Sequence, residues 1–296
     1  MTPPFLTVRD LLRYAVSRFN EAKLSFGHGN ANAYDEAAYL ILHTLHLPLD
    51  MLEPFLDARL LETEMTRLLQ VIERRVQERA PAAYITQEAW LHGYPFYVDE
   101  RVIVPRSLIG ELLQEKLAPW LNETHPVQTV LDLCTGSGCL AILAAENFPE
   151  ATVDAVDVSA DALAVAQRNV ATYDLAARIT LYEGDLYAPL PATRRYNLII
   201  ANPPYVNEAS MHELPAEYQH EPRLALAGGS DGMDIVRQIV AGARRWLAPH
   251  GTLIVEIGHE RDYAQAAFSK LNLNWLTTSA GDDFVFMLNA ADLNSI

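Results

Sequence analysis

The most constraining stretch of this sequence is Leu131-Asp132-Leu133-Cys134-Thr135-Gly136-Ser137-Gly138-Cys139-Leu140-Ala141. Residues 130–133 read as a buried strand and 140–146 as the opening of a helix. A strand that turns through glycines into a helix begins a parallel crossover unit. Gly136 and Gly138 allow a tight turn and a close approach of the backbone to a ligand. A second strand, 152–156, runs out at Asp157, 21 residues beyond Gly136. A carboxylate at that place can accept hydrogen bonds from ribose hydroxyls. The glycine spacing also satisfies the dinucleotide fingerprint, so these residues imply an adenosine-bearing ligand and leave its chemistry open.

The rest of the C-terminal two thirds repeats the alternation. Helices fall at 160–171 and 235–247, and strands at 179–182, 197–201 and 252–257. A final strand pair, 275–278 and 284–288, joins through Gly281. The pattern predicts an α/β fold with a mainly parallel seven-stranded sheet covered on both faces. The N-terminal part is different. Val8, Leu11, Leu12, Ala15, Val16 and Phe19 fall on one helical face, a second amphipathic stretch runs over 34–45, and Leu61, Met65, Leu68, Leu69, Ile72 and Val76 make a third. These predict a small helical bundle. Between Tyr84 and Val104 the aromatic and β-branched pattern predicts a strand pair. The expected organisation is therefore a helical domain over 1–83, a hairpin linker over 84–110 and a ligand-binding α/β domain over 111–296.

The balance of charge narrows the partners. With 22 basic against 38 acidic residues the formal net charge is -16, which favours a basic partner and disfavours duplex nucleic acid. The two cysteines, Cys134 and Cys139, have no disulfide or zinc spacing and are expected as free thiols. The nine histidines are scattered, so no metal is expected. No apolar run reaches the length of a membrane span, and residues 1–8 do not read as a secretory leader; a cytoplasmic protein is expected.

The chemistry is carried by Asn202-Pro203-Pro204-Tyr205, directly after the strand Leu198-Ile199-Ile200-Ala201. At the carboxyl end of a parallel strand it faces the crevice where such folds bind ligands. The two prolines stiffen the backbone and remove two amide donors, which leaves carbonyls free to accept. An NH2 group has two hydrogens. The Asn202 side-chain oxygen and the Pro203 carbonyl can hold both, with the Tyr205 ring as a flat face for a planar group or a sulfonium methyl.

The glycine loop, Asp157 and Asn202–Tyr205 together resemble the S-adenosylmethionine-dependent methyltransferases of amino nitrogens, which have a Rossmann-like class I fold. The resemblance extends to Glu183-Gly184-Asp185-Leu186. It implies cofactor contacts from Asp132, Thr135, Gly136, Gly138, Asp157, Val158, Asp185, Leu186 and Asn202. It narrows through Pro81-Ala82-Ala83-Tyr84-Ile85, Val104-Pro105-Arg106, Glu221-Pro222-Arg223-Leu224-Ala225-Leu226, Gly228-Gly229 and Asp231-Gly232. These are similar to the HemK family of protein glutamine N5-methyltransferases, over nearly the whole chain. One branch of that family modifies peptide chain release factors. The other modifies a glutamine of the third large-subunit ribosomal protein, a basic substrate. Ser107-Leu108-Ile109-Gly110-Glu111 after Pro105-Arg106, with Phe26-Gly27-His28-Gly29 and Asp35-Glu36-Ala37, resembles the second branch. The implied catalytic residues are Asn202, Pro203 and Tyr205, and the expected substrate contacts add Pro204 and Arg106, the last of which either meets the substrate backbone or pairs with an acid. Rival readings are a release-factor enzyme, a DNA adenine methyltransferase, a nicotinamide-dependent dehydrogenase and a non-catalytic assembly factor. His28 is expected as a substrate contact or as loop packing, and Glu256 ends the fifth strand facing the same crevice.

Overall fold

The computed structural model describes residues 5–121 and 124–295, so residues 1–4 of the stretch read for a leader lie outside it. The helical part begins with α1 (Val8–Glu21), whose first turn is closed by Thr7 and Asp10 capping one another's amides. Asn32 accepts from the Tyr34 and Asp35 amides to start α2 (Ala33–Thr44). The third helix, α3 (Glu62–Gln77), packs Leu68 and Ile72 against Leu11, Phe19, Leu40 and Ile41 in one closed core.

The strand pair is shorter than the sequence predicts. Tyr84 lies in a short helix, α4 (Ala82–Thr86), that Gln87 ends with a left-handed backbone. The hairpin is β1 (Glu88–Leu91) and β2 (Tyr94–Tyr97), turned by His92 and Gly93, both at positive φ. Two left-handed residues match the twist of a two-residue hairpin, whereas alternating aromatics alone could not locate its start.

The chain divides into two units. One holds the chain up to Ala89 together with Leu214–His220; the other holds Trp90–Glu213 and Glu221–Ile296. In the second unit β3 (Thr129–Leu133), β4 (Thr152–Asp157), β5 (Ile179–Glu183), β6 (Tyr196–Ala201) and β7 (Leu247–Glu256) run parallel. The last strands, β8 (Asn274–Trp275) and β9 (Val285–Asn289), are antiparallel, and the order is β5-β4-β3-β6-β7-β9-β8. This is the Rossmann-like α/β fold with a mainly parallel seven-stranded sheet that the alternation predicts. Its helices are α5 (Ile109–Gln114), α6 (Cys139–Asn147), α7 (Ala160–Thr172), α8 (Glu208–Glu213), α9 (Asp234–Trp246) and α10 (Arg261–Ala267). The short helices α5, α8 and α10 have too few turns to carry a readable period.

Successive strand residues enter opposite cores. Val130, Leu198 and Ile200 pack with α5 and α6, while Leu131, Ile199 and Ala201 pack with α9. Burial of both faces explains why these strands are unbroken apolar runs. From β3 the chain builds outward to β4 and β5 on one side and to β6 and β7 on the other. The strand ends at this reversal open a crevice, and the glycine loop and Asn202 both lie there. Among the described residues, no helix is long and apolar enough to cross a membrane.

Candidate active site

An open cleft of about 880 Å³, measured out into open solvent, lies over the carboxyl ends of β3, β4, β5 and β6. Gly136, Asp157, Val158, Asp185, Leu186, Asn202 and Pro204 line it, so residues scattered over 69 positions of sequence share one cavity. Asp157 is half-buried. Its Oδ2 accepts the Gly136 amide at 2.8 Å and its Oδ1 the Ser159 amide at 2.9 Å. Each carboxylate oxygen keeps a further lone pair for a ligand hydroxyl. Burial pushes this carboxyl above its ordinary value, and the Ser159, Gly136 and Val158 amides oppose that.

Gly136 has φ +55 and open space where a Cβ would stand, which leaves the cleft clear above the loop. Two non-glycine residues also hold left-handed backbones in the lining, Cys134 at φ +58 and Leu186 at φ +47. Such conformations cost roughly 1–2 kcal/mol each and persist where the surroundings enforce them. Cys134 and Cys139 are both free, and burial raises both thiols.

Three of the residues implied as cofactor contacts do not line the cleft. Asp132 is fully buried, and the Thr135 hydroxyl donates to its Oδ2 at 2.5 Å. Burial pushes the Asp132 carboxyl up to about 7. Its Oδ1 has no hydrogen-bond partner among the described residues. Gly138, at φ +79, starts α6, and a Cβ there would stand 3.2 Å from the Ala166 Cβ. These residues shape the loop from beneath, and α6 can approach α7 only because position 138 is glycine.

Pro203, which is buried, and Tyr205, which is half-buried, both lie outside the lining. The surroundings of Tyr205 are more specific than the sequence suggested. Val206 forms a parallel bridge with Ala227, and the Gly228 amide donates to the Val206 carbonyl at 2.9 Å. A Cβ on Gly228 would lie 2.7 Å from the Tyr205 Cα, one on Gly232 would strike the Tyr205 carbonyl oxygen, and one on Gly258 would lie 2.5 Å from ring carbon Cε2. Three glycines therefore cradle one tyrosine, its backbone on one side and its ring on the other. Gly228-Gly229, Asp231-Gly232 and Glu256-Ile257-Gly258 are visible in the sequence, but only the fold brings them to Tyr205.

Arg106 is committed elsewhere. Its Nη1 and Nη2 donate to Glu221 at 2.5 and 2.7 Å, and Nη1 also donates to the Val104 carbonyl. The pair ties the segment that carries Val102 and Ile103 to the one that carries Pro222 and Leu224, and all four of these line the cleft. The sequence points to these segments only through Arg106, since neither carries a nucleotide-loop pattern. Glu256 is buried beneath them, accepting from the Ser107 hydroxyl at 2.6 Å and the Leu108 amide at 2.9 Å. Burial raises its carboxyl to about 7. His28 lies in the helical unit, buried with its ring 4.4 Å from that of Tyr218. Among the described residues no group of three metal-ligating side chains comes together.

A family model described as the methyltransferase small domain matches residues 111–217. Over almost their whole lengths, curated relatives match more closely. A ribosomal protein uL3 glutamine methyltransferase of Burkholderia pseudomallei is 65% identical, over 99% of this chain and 97% of its own. One of Bordetella pertussis is 60% identical, over 98% and 97%. The chain belongs to the uL3 glutamine methyltransferase family. It is therefore an enzyme, a methyltransferase, and its cofactor is S-adenosylmethionine. A methyltransferase of Pyrococcus furiosus is a solved structure to which the chain is similar, with a TM-score of 0.49 and 14% identity over 76% of this chain and 98% of that one. The cleft residues suit the cofactor. Asp157 has spare acceptor capacity for ribose hydroxyls, Asp185 and Leu186 stand at the neighbouring strand end, and the carboxylates suit a cationic ligand.

Proposed function

We propose that this enzyme methylates the side-chain amide nitrogen of a glutamine in ribosomal protein uL3. The observation that carries the chemistry is the shared cavity: Asn202 and Pro204 line the same cleft as Asp157 and Asp185. A cofactor held by the acids at the ends of β4 and β5 would reach toward the acceptor carbonyls at the end of β6. When bound, S-adenosylmethionine supplies an electrophilic methyl group on sulfur.

The chain's own task is to prepare a poor nucleophile, since an amide lone pair is delocalised into its carbonyl. The Asn202 side-chain oxygen and the Pro203 carbonyl would each accept one hydrogen of the substrate NH2. Two fixed acceptors hold the nitrogen in line and favour the positive charge that builds on it. The nitrogen becomes far more acidic as it is alkylated, so no strong base is required beforehand. Tyr205, fixed by its glycine cradle beside the cleft, would offer its ring as a flat face to the substrate amide. Arg106 serves this site by joining two cleft segments through Glu221. The helical unit is proposed to recognise the protein substrate, and the acidic chain to steer a basic one toward the cleft in the cytoplasm.

The test is methyl transfer from labelled S-adenosylmethionine to purified uL3 and to a release factor. Label on uL3 that disappears when its target glutamine is replaced is expected; label on the release factor alone would overturn the substrate. Asn202→Ala is expected to lower kcat at least 100-fold while cofactor affinity stays within a few-fold, about 3 kcal/mol lost in the transition state. Equal losses in both would remove Asn202 from the acceptor role.

A further inference from the structure

Beyond Tyr205 the chain makes an excursion that the bridge between Val206 and Ala227 closes. Its limbs, 206–213 and 221–227, belong to the α/β unit, and its tip, Leu214–His220, belongs to the helical unit. Both limbs bear on the site. The first starts one residue after Tyr205, and the second supplies Pro222, Leu224, Ala225 and Ala227 to the cleft wall.

The tip is held by buried charge. Glu217 is fully buried, and its Oε1 accepts from the Ser25 amide at 3.0 Å, Arg75 Nη1 at 3.4 Å and Arg79 Nη2 at 2.9 Å. Arg75 is fully buried as well, with Nε on Glu36 at 2.6 Å and Nη2 on the Ser25 carbonyl at 2.9 Å. Beside them Tyr218 packs on His28, with its hydroxyl 2.7 Å from where a Cβ on Gly27 would stand. His220 Nε2 lies 2.8 Å from the Glu78 carbonyl. Burial alone would raise the Glu217 carboxyl; the Ser25 amide, its own amide, Arg79 and Arg75 outweigh it and hold it below its ordinary value.

A buried ion network is a poor way to gain stability. An apolar plug of the same volume is often as good or better, because two charges must be stripped of water. This network also leaves Glu217 Oε2 and Arg79 Nε buried without a hydrogen-bond partner among the described residues. What directional charge pairs give, and an apolar plug does not, is a single register for the segment they hold.

We propose that Arg75 and Glu217 form a latch that fixes the register of the tip of the strap 206–227, and, because the chain is continuous through it, of the limbs that carry on from Tyr205 and into the cleft wall. Both are positioning residues. This rests on the reading of Asn202–Tyr205 as the acceptor site. Glu217→Gln keeps an acceptor for the Ser25 amide and removes the charge, and Tyr218→Ala loosens the same tip without leaving a buried charge unpaired. In the full-length enzyme, Glu217→Gln is expected to lower kcat on uL3 at least 10-fold, and Tyr218→Ala about 3-fold, while cofactor affinity stays within 3-fold. Arg75→Lys, which cannot span Glu36 and Glu217 together, is expected to fall between wild type and Glu217→Gln.

Hydrogen exchange of the 206–227 amides gives a readout that needs no substrate. Exchange is expected to accelerate at least 10-fold there in Glu217→Gln and Tyr218→Ala, with β3–β7 unchanged. Unchanged kcat in a folded variant, or unchanged exchange over 206–227, overturns the latch. Should Glu217→Gln fail to fold, Tyr218→Ala decides alone by both readouts. A wrong substrate assignment would instead appear in the wild type, as absence of label on uL3.

Discussion

The glycine cradle makes the sharpest demand on the structure. Gly232 has φ +77, and a Cβ there would fall on the Tyr205 carbonyl oxygen, far inside van der Waals contact. Gly232→Ala therefore adds two costs. The left-handed backbone alone costs an alanine roughly 1 kcal/mol. The clash is with backbone, which cannot rotate away, so one of the two segments must shift by about 1 Å. A displacement of that size in a catalytic group lowers rate by about 100-fold. Gly258→Ala meets the ring of Tyr205 instead, and a ring can tilt, so its expected loss is smaller, about 10-fold. Gly229→Ala is the control. It too sits at positive φ, +89, but the atoms nearest its Cβ would be those of the Asp234 carboxylate, the end of an exposed side chain. It should lose similar stability and little kcat.

The assay is methyl transfer to uL3 at saturating cofactor, with denaturant midpoints measured on the same preparations. The expected order of kcat is wild type near Gly229→Ala, then Gly258→Ala, then Gly232→Ala, with cofactor affinity nearly constant. If Gly232→Ala and Gly229→Ala lose the same activity at the same stability, the cradle does not position Tyr205 and the reasoning fails.

Other consequences follow from the same geometry. Asp157→Ala should weaken cofactor binding by about 10- to 100-fold, the worth of one or two hydrogen bonds to a charged acceptor, and titration calorimetry that finds unchanged affinity contradicts its ribose role. Burial raises Asp132 and Glu256 to about 7 each, so the folded protein holds these protons more tightly than the unfolded chain. Their contribution to stability is then largest below about pH 4, falls as pH rises and levels off above about 7, on the order of 3 kcal/mol per group. Denaturant midpoints for the wild type should drop between pH 5 and 8, and Asp132→Asn with Glu256→Gln should flatten that drop; an unflattened curve refutes the assignment. The KM for uL3 should rise about 10-fold between 50 and 300 mM salt if the acidic chain steers a basic substrate, and an unchanged KM would remove steering from the account.

The sheet was legible because its strands are buried on both faces. Runs such as Leu198-Ile199-Ile200-Ala201 have few alternative places in a fold. The cleft positions of Asn202, Pro204, Asp157 and Asp185 are legible too, since each lies within a few residues of the strand that aims it. What could not be read was anything that depends on two distant segments meeting. The sequence leaves Arg106 between meeting the substrate backbone and pairing with an acid, and only the fold shows that Glu221, 115 positions away, is on it. The glycines of the cradle look like turn formers until Tyr205 is found against them. Val102, Ile103 and Leu224 are apolar residues in loops, with no periodicity to say that they wall a cavity. The start of the hairpin was misplaced for a local reason. Ala82–Thr86 is a single helical turn, too short for its propensity to outweigh the aromatic pattern around it.

The distribution of carboxylates across the strand ends has a functional logic. A carboxylate beside a sulfonium stabilises the reactant more than the transition state, in which positive charge is already leaving sulfur. Such a contact tightens binding and slows transfer. Asp157 and Asp185 avoid this by position. They follow β4 and β5, while Asn202 follows β6, and β3 lies between. With strands about 4.8 Å apart, Asp157 stands about 10 Å from the acceptor end and Asp185 farther still. Their charge can hold the cofactor without sitting on the reacting atoms. Asp132 is the exception in position, since it lies on β3, the strand hydrogen-bonded to β6. Like Glu256 at the end of β7, the other neighbour of β6, it is pushed up to about 7 by burial, so near neutral pH much of its charge is gone. The two strands that flank β6 thus carry acids whose charge burial weakens, and β4 and β5 carry the acids proposed to hold the cofactor.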